Sequence, residues 1–381
     1  MFKMLKKKVI PAMSLFLALL APQIAGAKTL TPKVAPFKRS DRIVCIGDSI
    51  TDGFSYPLMI KQALQEAGQP TPTIIDGGVA NDTAKDMNAR LERDVLPRHP
   101  TFVTFMAGTN DGLRGVTPEM YEAEVAAIAK RLRAHNISML FLTPPIYGPK
   151  HLDAEKNLAG FNEVLHRLAT KYNDRVAEVN AAMQKARARG EELLETDNVH
   201  PNYAGHRVMA RVVLDALGYT AVPLPAEFKV QPVPGLLTSW QVRAMPDKTA
   251  LLDARTVAAV RPDATWKALT LPETEPQSHW WMDQERKRGF AVGLDKLVGP
   301  AKLYQGVATI QAAAPRPVFF NTGADLQNIW LNGQQIYKND HWAGWHAGKE
   351  RIPATLQAGR NIVFIESGGA FFVGVTTDND W

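Results

Sequence analysis

The chain has 381 residues, enough for two domains, and its content of 45% hydrophobic and 22% charged residues excludes wholesale disorder. Its formal net charge falls from +6 to +2 when residues 1–27 are left out, because that segment holds four lysines and no acid. A charge so close to neutral gives no electrostatic support for binding nucleic acid or an anionic membrane surface.

The first 27 residues have the pattern of a signal peptide. A lysine cluster precedes the apolar run Val9–Ala21, and Ala25-Gly26-Ala27 supplies the small residues typical of a cleavage site. The apolar run is short and is interrupted by Pro11, which argues against a membrane span. We therefore expect a mature chain that begins at Lys28, is extracytoplasmic (periplasmic or secreted) and has no stable membrane anchor. A retained anchor is the alternative.

Residues 42 to 217 alternate between short apolar runs and amphipathic helical patterns. Continuous apolar runs are typical of parallel strands that are covered on both faces. The clearest helix is predicted to begin with Thr117 as N-cap and Pro118 at the first helical position. The alternation predicts a three-layer α/β domain with right-handed crossovers. The predicted strands are Ile43–Ile46, Thr73–Ile75, Phe102–Met106, Met139–Leu142 and Val176–Val179.

The pattern changes after Gly218. Four prolines within residues 223–234 indicate a linker, and hairpin signals then replace helix signals. Asn332-Gly333 between two apolar segments predicts a type I′ turn, and Gly368-Gly369 separates two further apolar segments in the same manner.

All eight tryptophans lie at or after Trp240, so the two halves also differ in composition. We therefore predict a first domain at residues 28–219, a linker at 220–235 and a mostly β, sandwich-like accessory domain at 236–381.

Four short segments follow the predicted strands or precede the last helix of the first domain. In an open α/β sheet, ligands bind at the carboxyl ends of the strands, so these segments are predicted to meet there. The segments are Gly47–Thr51, Asp76–Thr83, Gly108–Asp111 and Asp197–Pro201.

The residue types in these segments suit nucleophilic catalysis. The hydroxyl of Ser49 is a weak nucleophile and needs a positioned base, which His200 can supply. Asp197 lies three residues before His200, so its carboxylate can hold the imidazole in one tautomer. An oxyanion formed on a substrate carbonyl needs fixed donors. The candidates are the backbone N–H of Ser49, a backbone N–H near Asn81 and the side-chain amide of Asn110.

These segments resemble the four signature blocks of the SGNH (GDSL-type) hydrolases, in their usual order, over about residues 40 to 217. Gly47-Asp48-Ser49 resembles the nucleophile block, Gly108–Asp111 the asparagine block, and Asp197–Pro201 the block with acid and base. The resemblance implies a flavodoxin-like sandwich that hydrolyses esters, with Ser49, Asp197 and His200 as catalytic residues.

One block departs from the family's usual N-x-G-x-x-G-x-T pattern. Asp76 stands at its first asparagine, and Asn81 at the glycine whose backbone N–H contributes to the oxyanion hole. Asparagine tolerates positive φ better than most residues, so we expect Asn81 to remain a donor. Each site residue also has an ordinary alternative: Ser49 as a helix N-cap, Asn110 as a loop cap, His200 as a surface histidine and Asp197 as a turn residue.

The tryptophans leave two interpretations open. Flat aromatic rings such as those of the segment His341–His346 suit the apolar faces of sugars, whereas tryptophans in β domains also form cores and domain interfaces. Trp330, between Ile329 and Leu331, is predicted to be buried. His206, on the helix after the last block, is predicted to pack in the core.

We expect an exported esterase that deacetylates O-acetylated polysaccharides or oligosaccharides. The alternatives are a lipase or thioesterase acting on longer acyl chains, and a carbohydrate-binding protein with a vestigial hydrolase site. There is no G-x-x-x-x-G-K-[ST] loop and no acidic metal cluster in the sequence, so phosphoryl transfer has no support. We expect neither cofactor nor metal.

Overall fold

The computed structural model describes residues 36–245, 257, 260–339, 344–345 and 350–377. The chain from Val34 onward groups into one compact unit. The predicted signal peptide and the predicted start at Lys28 lie outside the described residues. Of the segment His341–His346, only Gly344 and Trp345 are described.

A five-stranded parallel sheet forms the centre of the N-terminal part, in the order β2-β1-β3-β4-β5. This is the flavodoxin-like order, which has its switch point between β1 and β3. The predicted α/β sheet is confirmed, although β2 continues through Gly78, and the last strand ends at Ala177 because Val179 begins a helix. The strands are β1 (Arg42–Gly47), β2 (Thr73–Gly78), β3 (Phe102–Met106), β4 (Ser138–Leu142) and β5 (Arg175–Ala177).

Helices cover both faces of this sheet. They are α1 (Ser49–Asp52), α2 (Ser55–Glu66), α3 (Ala84–Arg90), α4 (Thr109–Leu113), α5 (Pro118–Ala134), α6 (Leu152–Tyr172), α7 (Val179–Ala188) and α8 (Tyr203–Ala216), with a π-helical turn at Leu91–Val95 and 3₁₀ turns at Leu96–Arg98 and Pro149–His151. Helix α5 begins as predicted, since the side chain of Thr117 accepts from the N–H of Met120 at 3.3 Å. No helix in the described part of the chain is both long and apolar enough to cross a membrane.

The continuous apolar runs are explained by two cores, one on each face of the sheet. In β1, Ile43 and Cys45 belong to the core shared with α2, α7 and α8. Val44 and Ile46 belong to the core shared with α3, α5 and α6. Because successive strand residues point to opposite faces and both faces are covered, the four inner positions Ile43–Ile46 are all apolar.

The C-terminal part contains two antiparallel sheets, as predicted for a β domain. A six-stranded sheet has the order β11-β10-β13-β8-β6-β7, and a three-stranded sheet has the order β12-β9-β14. An apolar core joins them, with Ile329 and Val363 from the larger sheet and Phe320 and Val373 from the smaller. The strands are β6 (Ser239–Met245), β7 (Lys267–Thr270), β8 (Leu303–Ala312), β9 (Arg316–Thr322), β10 (Leu326–Leu331), β11 (Gln334–Lys338), β12 (Glu350–Leu356), β13 (Gly359–Ser367) and β14 (Val373–Thr376); two helices, α9 (Trp280–Arg288) and α10 (Leu294–Val298), lie between β7 and β8.

Of the two predicted hairpins, only one forms. Asn332 and Gly333 have φ of +52° and +84°, as a type I′ turn requires, and they join β10 to β11. The hairpin predicted at Gly368-Gly369 is wrong, because β13 pairs with β8 and β10 whereas β14 pairs with β9 in the other sheet. A pair of glycines indicates that the chain turns, but it does not determine whether the next strand stays in the same sheet.

The segment predicted as a linker has no helix or strand, but it is hydrogen-bonded to the N-terminal helices. Arg207 donates to the carbonyl of Pro225 at 2.7 Å, and Arg211 donates to that of Val222 at 2.5 Å. Gln62 of α2 donates to the carbonyl of Glu227 at 2.8 Å. The segment therefore lies against α2 and α8; the boundaries at 219 and 236 stay predictions.

Candidate active site

Ser49 is the first residue of α1, directly after β1, at the switch point of the sheet. Asp48 caps this helix, with its carboxylate accepting from the N–H of Ile50 at 3.0 Å. The short helix packs closely on the end of β2, because a Cβ on Gly78 would lie 2.2 Å from the N atom of Asp52. Glycine is therefore required at position 78 for the turn that presents Ser49 at the rim.

The structure brings Ser49, His200 and Asp197 into one hydrogen-bonded chain. The Oγ of Ser49 lies 2.8 Å from Nε2 of His200, and Nδ1 of His200 lies 2.7 Å from Oδ2 of Asp197. The other carboxylate oxygen of Asp197 accepts from the N–H groups of Val199, at 2.9 Å, and His200, at 3.0 Å. The loop thus fixes the carboxylate by its own backbone, and the carboxylate fixes the imidazole.

The electrostatics of the pair suit a general base. Burial by itself lowers the pKa of His200, but the hydrogen bond and the charge of Asp197 outweigh it and raise that pKa. Burial raises the pKa of Asp197, and the donors His200 and Val199 bring it well below its usual value. An ionised Asp197 accepts from Nδ1–H of His200, so we assign the lone pair to Nε2, where it faces the hydroxyl of Ser49.

The three predicted oxyanion donors lie in the loops at the same end of the sheet. The N–H of Ser49 is at the first position of α1 and so has no acceptor within the helix. Asn81 has φ of +71°, the left-handed conformation that asparagine tolerates and that a glycine in its place would adopt freely. The side-chain amide of Asn110 donates to the carbonyl of Asp82 at 3.0 Å, next to Asn81. Their joint action on one oxyanion stays a prediction.

Two buried charged residues hold these loops together and were not identified from the sequence. The carboxylate of Asp111 accepts from the N–H of Gly108 and from that of Ala84 in the neighbouring segment, both at 3.1 Å. Arg90, at the end of α3, donates to the carbonyls of Gly47 at 3.1 Å and Gly77 at 2.8 Å and pairs with Asp82. Arg90 therefore ties the ends of β1 and β2 together, and nothing in its local sequence indicates this.

The C-terminal part of the chain contributes a wall beside His200. The ring of Trp281, in α9, lies 6.2 Å from the ring of His200 between centroids. The preceding Trp280 packs 5.4 Å from His206 and 5.5 Å from Tyr203. His206 is buried and its ring stacks 6.4 Å from that of Tyr56, which confirms its predicted packing role; desolvation lowers its pKa to about 3.

The described tryptophans divide between the two interpretations left open by the sequence. Trp240, Trp266 and Trp330 are buried, and Trp330, as predicted, is only 2% exposed. Trp280 packs between the two parts of the chain. The backbone N–H of Trp345 donates to the carboxylate of Asp52 in α1 at 2.8 Å. Trp281 is the one whose position beside His200 makes substrate contact possible.

No group of three or more His, Cys, Asp and Glu side chains within the described ranges could hold a metal ion.

Comparisons with known proteins match the part of the chain that carries this rim. Residues 45–208 match the model of the GDSL-like lipase/acylhydrolase family. An acetylxylan esterase of Geobacillus stearothermophilus is 25% identical over 207 residues, which cover 47% of this chain and 94% of that protein. An arylesterase of Vibrio mimicus is 30% identical over 128 residues, which cover 31% of this chain and 64% of that protein. The solved structure of the Geobacillus acetylxylan esterase aligns with 49% of this chain and 99% of its own, at 24% identity and a TM-score of 0.45.

Proposed function

Residues 45–208 belong to the GDSL-like lipase/acylhydrolase family, and from that premise we propose an exported serine esterase that removes acetyl groups from carbohydrates. The observation that carries the proposal is the hydrogen-bonded chain from Ser49 through His200 to Asp197, with distances of 2.8 and 2.7 Å. Export rests on the pattern of residues 1–27.

The geometry supports a two-step acyl transfer. Ser49 Oγ attacks the ester carbonyl while Nε2 of His200 takes its proton, and the developing oxyanion is held by the N–H groups of Ser49 and Asn81 and the amide of Asn110. His200 then gives the proton to the leaving alcohol, which leaves an acyl-Ser49. Water, deprotonated by His200, attacks the acyl group, and Ser49 regains its proton as the carboxylic acid departs. Asp197 stays ionised and stabilises the imidazolium.

The position of Trp281 favours a sugar as the alcohol portion of the ester. Because His200 must give its proton to the leaving oxygen, the alcohol lies on the His200 side of the scissile bond. The indole ring of Trp281 stands on that side, 6.2 Å from the imidazole, and can pack against a sugar ring. The similarity to an acetylxylan esterase supports the same substrate class.

Removal of the Trp281 ring is expected to weaken the use of a sugar ester. For the Trp281→Ala variant, we predict that KM for an acetylated xylo-oligosaccharide rises by about tenfold, because one aromatic contact is lost. The value of kcat/KM for p-nitrophenyl acetate is expected to change by less than about threefold, and Trp281→Phe should restore most of the sugar affinity. Steady-state kinetics on both substrates provide the measurement.

The same assay distinguishes acetyl from longer acyl groups. We expect the wild type to hydrolyse p-nitrophenyl acetate faster than p-nitrophenyl decanoate. A preference for decanoate of tenfold or more would instead support a lipase or thioesterase.

The Trp281→Ala variant has its own contradicting outcome. Equal losses of kcat/KM on the sugar ester and on p-nitrophenyl acetate would mean that Trp281 does not contact the sugar.

A further inference from the structure

A cavity of about 430 Å³ lies apart from the catalytic rim. Ser49, Asp197 and His200 do not line it. It is formed by α2, the middle of β2, residues 229–234 and two arginines of the C-terminal part of the chain. Much of its wall is aliphatic, with Leu58, Ile74, Val230 and Val233 among the lining residues. A cavity of this size is within the range of small-molecule sites.

Arg288 lines this cavity and is a buried cation that forms no ion pair with the part of the chain that the structure describes. Arg288 is the last residue of α9 and is only 5% exposed. Among the described residues it forms no ion pair, and its Nη1 is buried without a hydrogen-bond partner. Its guanidinium lies over the rings of Phe54 and Phe290, with distances of 5.7 and 5.3 Å to the ring centroids. Such contacts offset only part of the cost of removing a charge from water.

The nearest acid on the same helix does not neutralise Arg288. Burial, together with the charge of Asp52, raises the pKa of Glu285 to about 8, so this side chain is mostly protonated at neutral pH. Desolvation lowers the pKa of Arg288 itself, although Asp76, Glu285 and Asp52 attract its charge. The guanidinium of Arg288 thus borders the cavity without an ion pair to any described residue.

Lys61 of α2 lines the same cavity and also forms no ion pair among the described residues. Both cations line one cavity, and burial together with the charge of Arg288 lowers the pKa of Lys61. Two like charges that line one cavity repel each other, and an anion bound between them would relieve the repulsion and give the guanidinium a charged hydrogen-bond acceptor.

We propose that this cavity binds a small amphipathic monoanion, specifically an aliphatic carboxylate of medium chain length. The carboxylate would lie between Arg288 and Lys61, and the hydrocarbon part against Leu58, Ile74 and Val233. Lys229 and Arg351 also line the cavity, and the carboxylates of Glu66 and Asp76 offset part of the positive charge, which favours an anion of low charge. Binding of such a carboxylate does not depend on the proposed hydrolytic function.

Calorimetric titration of the full chain with decanoate tests the proposal. We expect one decanoate to bind per chain, at least tenfold more tightly than decanol, which lacks the charge, or inorganic phosphate, which lacks the chain. Binding should also raise Tm in proportion to the logarithm of decanoate concentration once the site is saturated. Equal affinity for decanoate and decanol, or for decanoate and phosphate, would overturn the proposal.

Variants locate the binding. Lys61→Gln is expected to weaken decanoate binding by about tenfold, because a charge-assisted contact is lost, whereas Lys61→Arg should retain it. Lys130→Gln, at an exposed position of α5, is the matched control and should bind normally. Arg288→Gln should weaken binding further. If Arg288→Gln does not fold, the result for Lys61→Gln alone decides the test. Unchanged binding in Lys61→Gln, together with competitive inhibition of p-nitrophenyl acetate hydrolysis by decanoate, would place the ligand at the catalytic rim and refute the second site.

Discussion

Replacement of Ser49 by alanine is expected to lower kcat for p-nitrophenyl acetate by about 10⁶-fold, because the variant has no oxygen from which an acyl-enzyme can form. The activity that remains should come from the oxyanion donors and substrate binding alone. Initial rates at saturating ester, with active protein quantified by its folded fraction, provide the measurement.

The matched control is Ser278→Ala, because Ser278 is an exposed serine in the segment just before α9. Its kcat should equal that of the wild type, and both variants should keep the wild-type Tm within a few degrees. Hydrolysis by Ser49→Ala at more than about 1% of the wild-type rate would show that another group is the nucleophile.

Replacement of Asp197 by asparagine is expected to lower kcat by about 10⁴-fold, because the amide no longer holds the tautomer of His200 that can accept a proton from Ser49. The pH profile should change as well. Activity requires neutral His200, so kcat/KM rises as pH passes the pKa of this histidine. Asp197 raises that pKa in the wild type, and its removal should move the rising limb of the profile to lower pH.

A full profile of kcat/KM against pH for the wild type and for Asp197→Asn measures both the loss of activity and the shift of the rising limb. Asp215→Asn serves as the control, since Asp215 pairs with Arg211 on α8, away from the catalytic loop. A rising limb that stays at the wild-type pH in Asp197→Asn would mean that Asp197 does not act on the imidazole.

The parts of the site that could be predicted from sequence are those in which one short segment determines its own geometry. Asp197 and His200 lie three residues apart, and the loop between them closes through backbone N–H groups onto the Asp197 carboxylate. Ser49 follows a continuous apolar run, and parallel strands bring the segments after them to one rim. The positive φ expected at Asn81 likewise depends on one residue, and the structure has it at +71°.

The parts that could not be predicted depend on packing between distant segments. Trp281 reaches His200 only because α9 docks on α8 through Trp280, and no periodicity in either helix encodes that contact. Arg90 acts on the carbonyls of Gly47 and Gly77, so its role exists only once β1 and β2 are paired. A backbone carbonyl has the same chemistry whatever its residue, and such contacts therefore leave no mark in the sequence.

The buried cation Arg288 is a further case. Its stretch of sequence, Arg286-Lys287-Arg288, is typical of a solvent-exposed basic cluster, yet the structure divides the three residues. Lys287 is exposed, Arg286 pairs with Asp283, and Arg288 is buried against Phe54. Helical geometry points neighbouring residues in different directions, so charge alone could not identify which of the three are buried.

The most direct test of the account is covalent labelling with a fluorophosphonate, which reacts with an activated serine hydroxyl. Peptide mass spectrometry should find one adduct per chain, on Ser49, forming in parallel with the loss of esterase activity, and His200→Ala should not be labelled. Complete inhibition with the adduct on another residue, or with Ser49 unmodified, would contradict the assignment of Ser49 as the nucleophile.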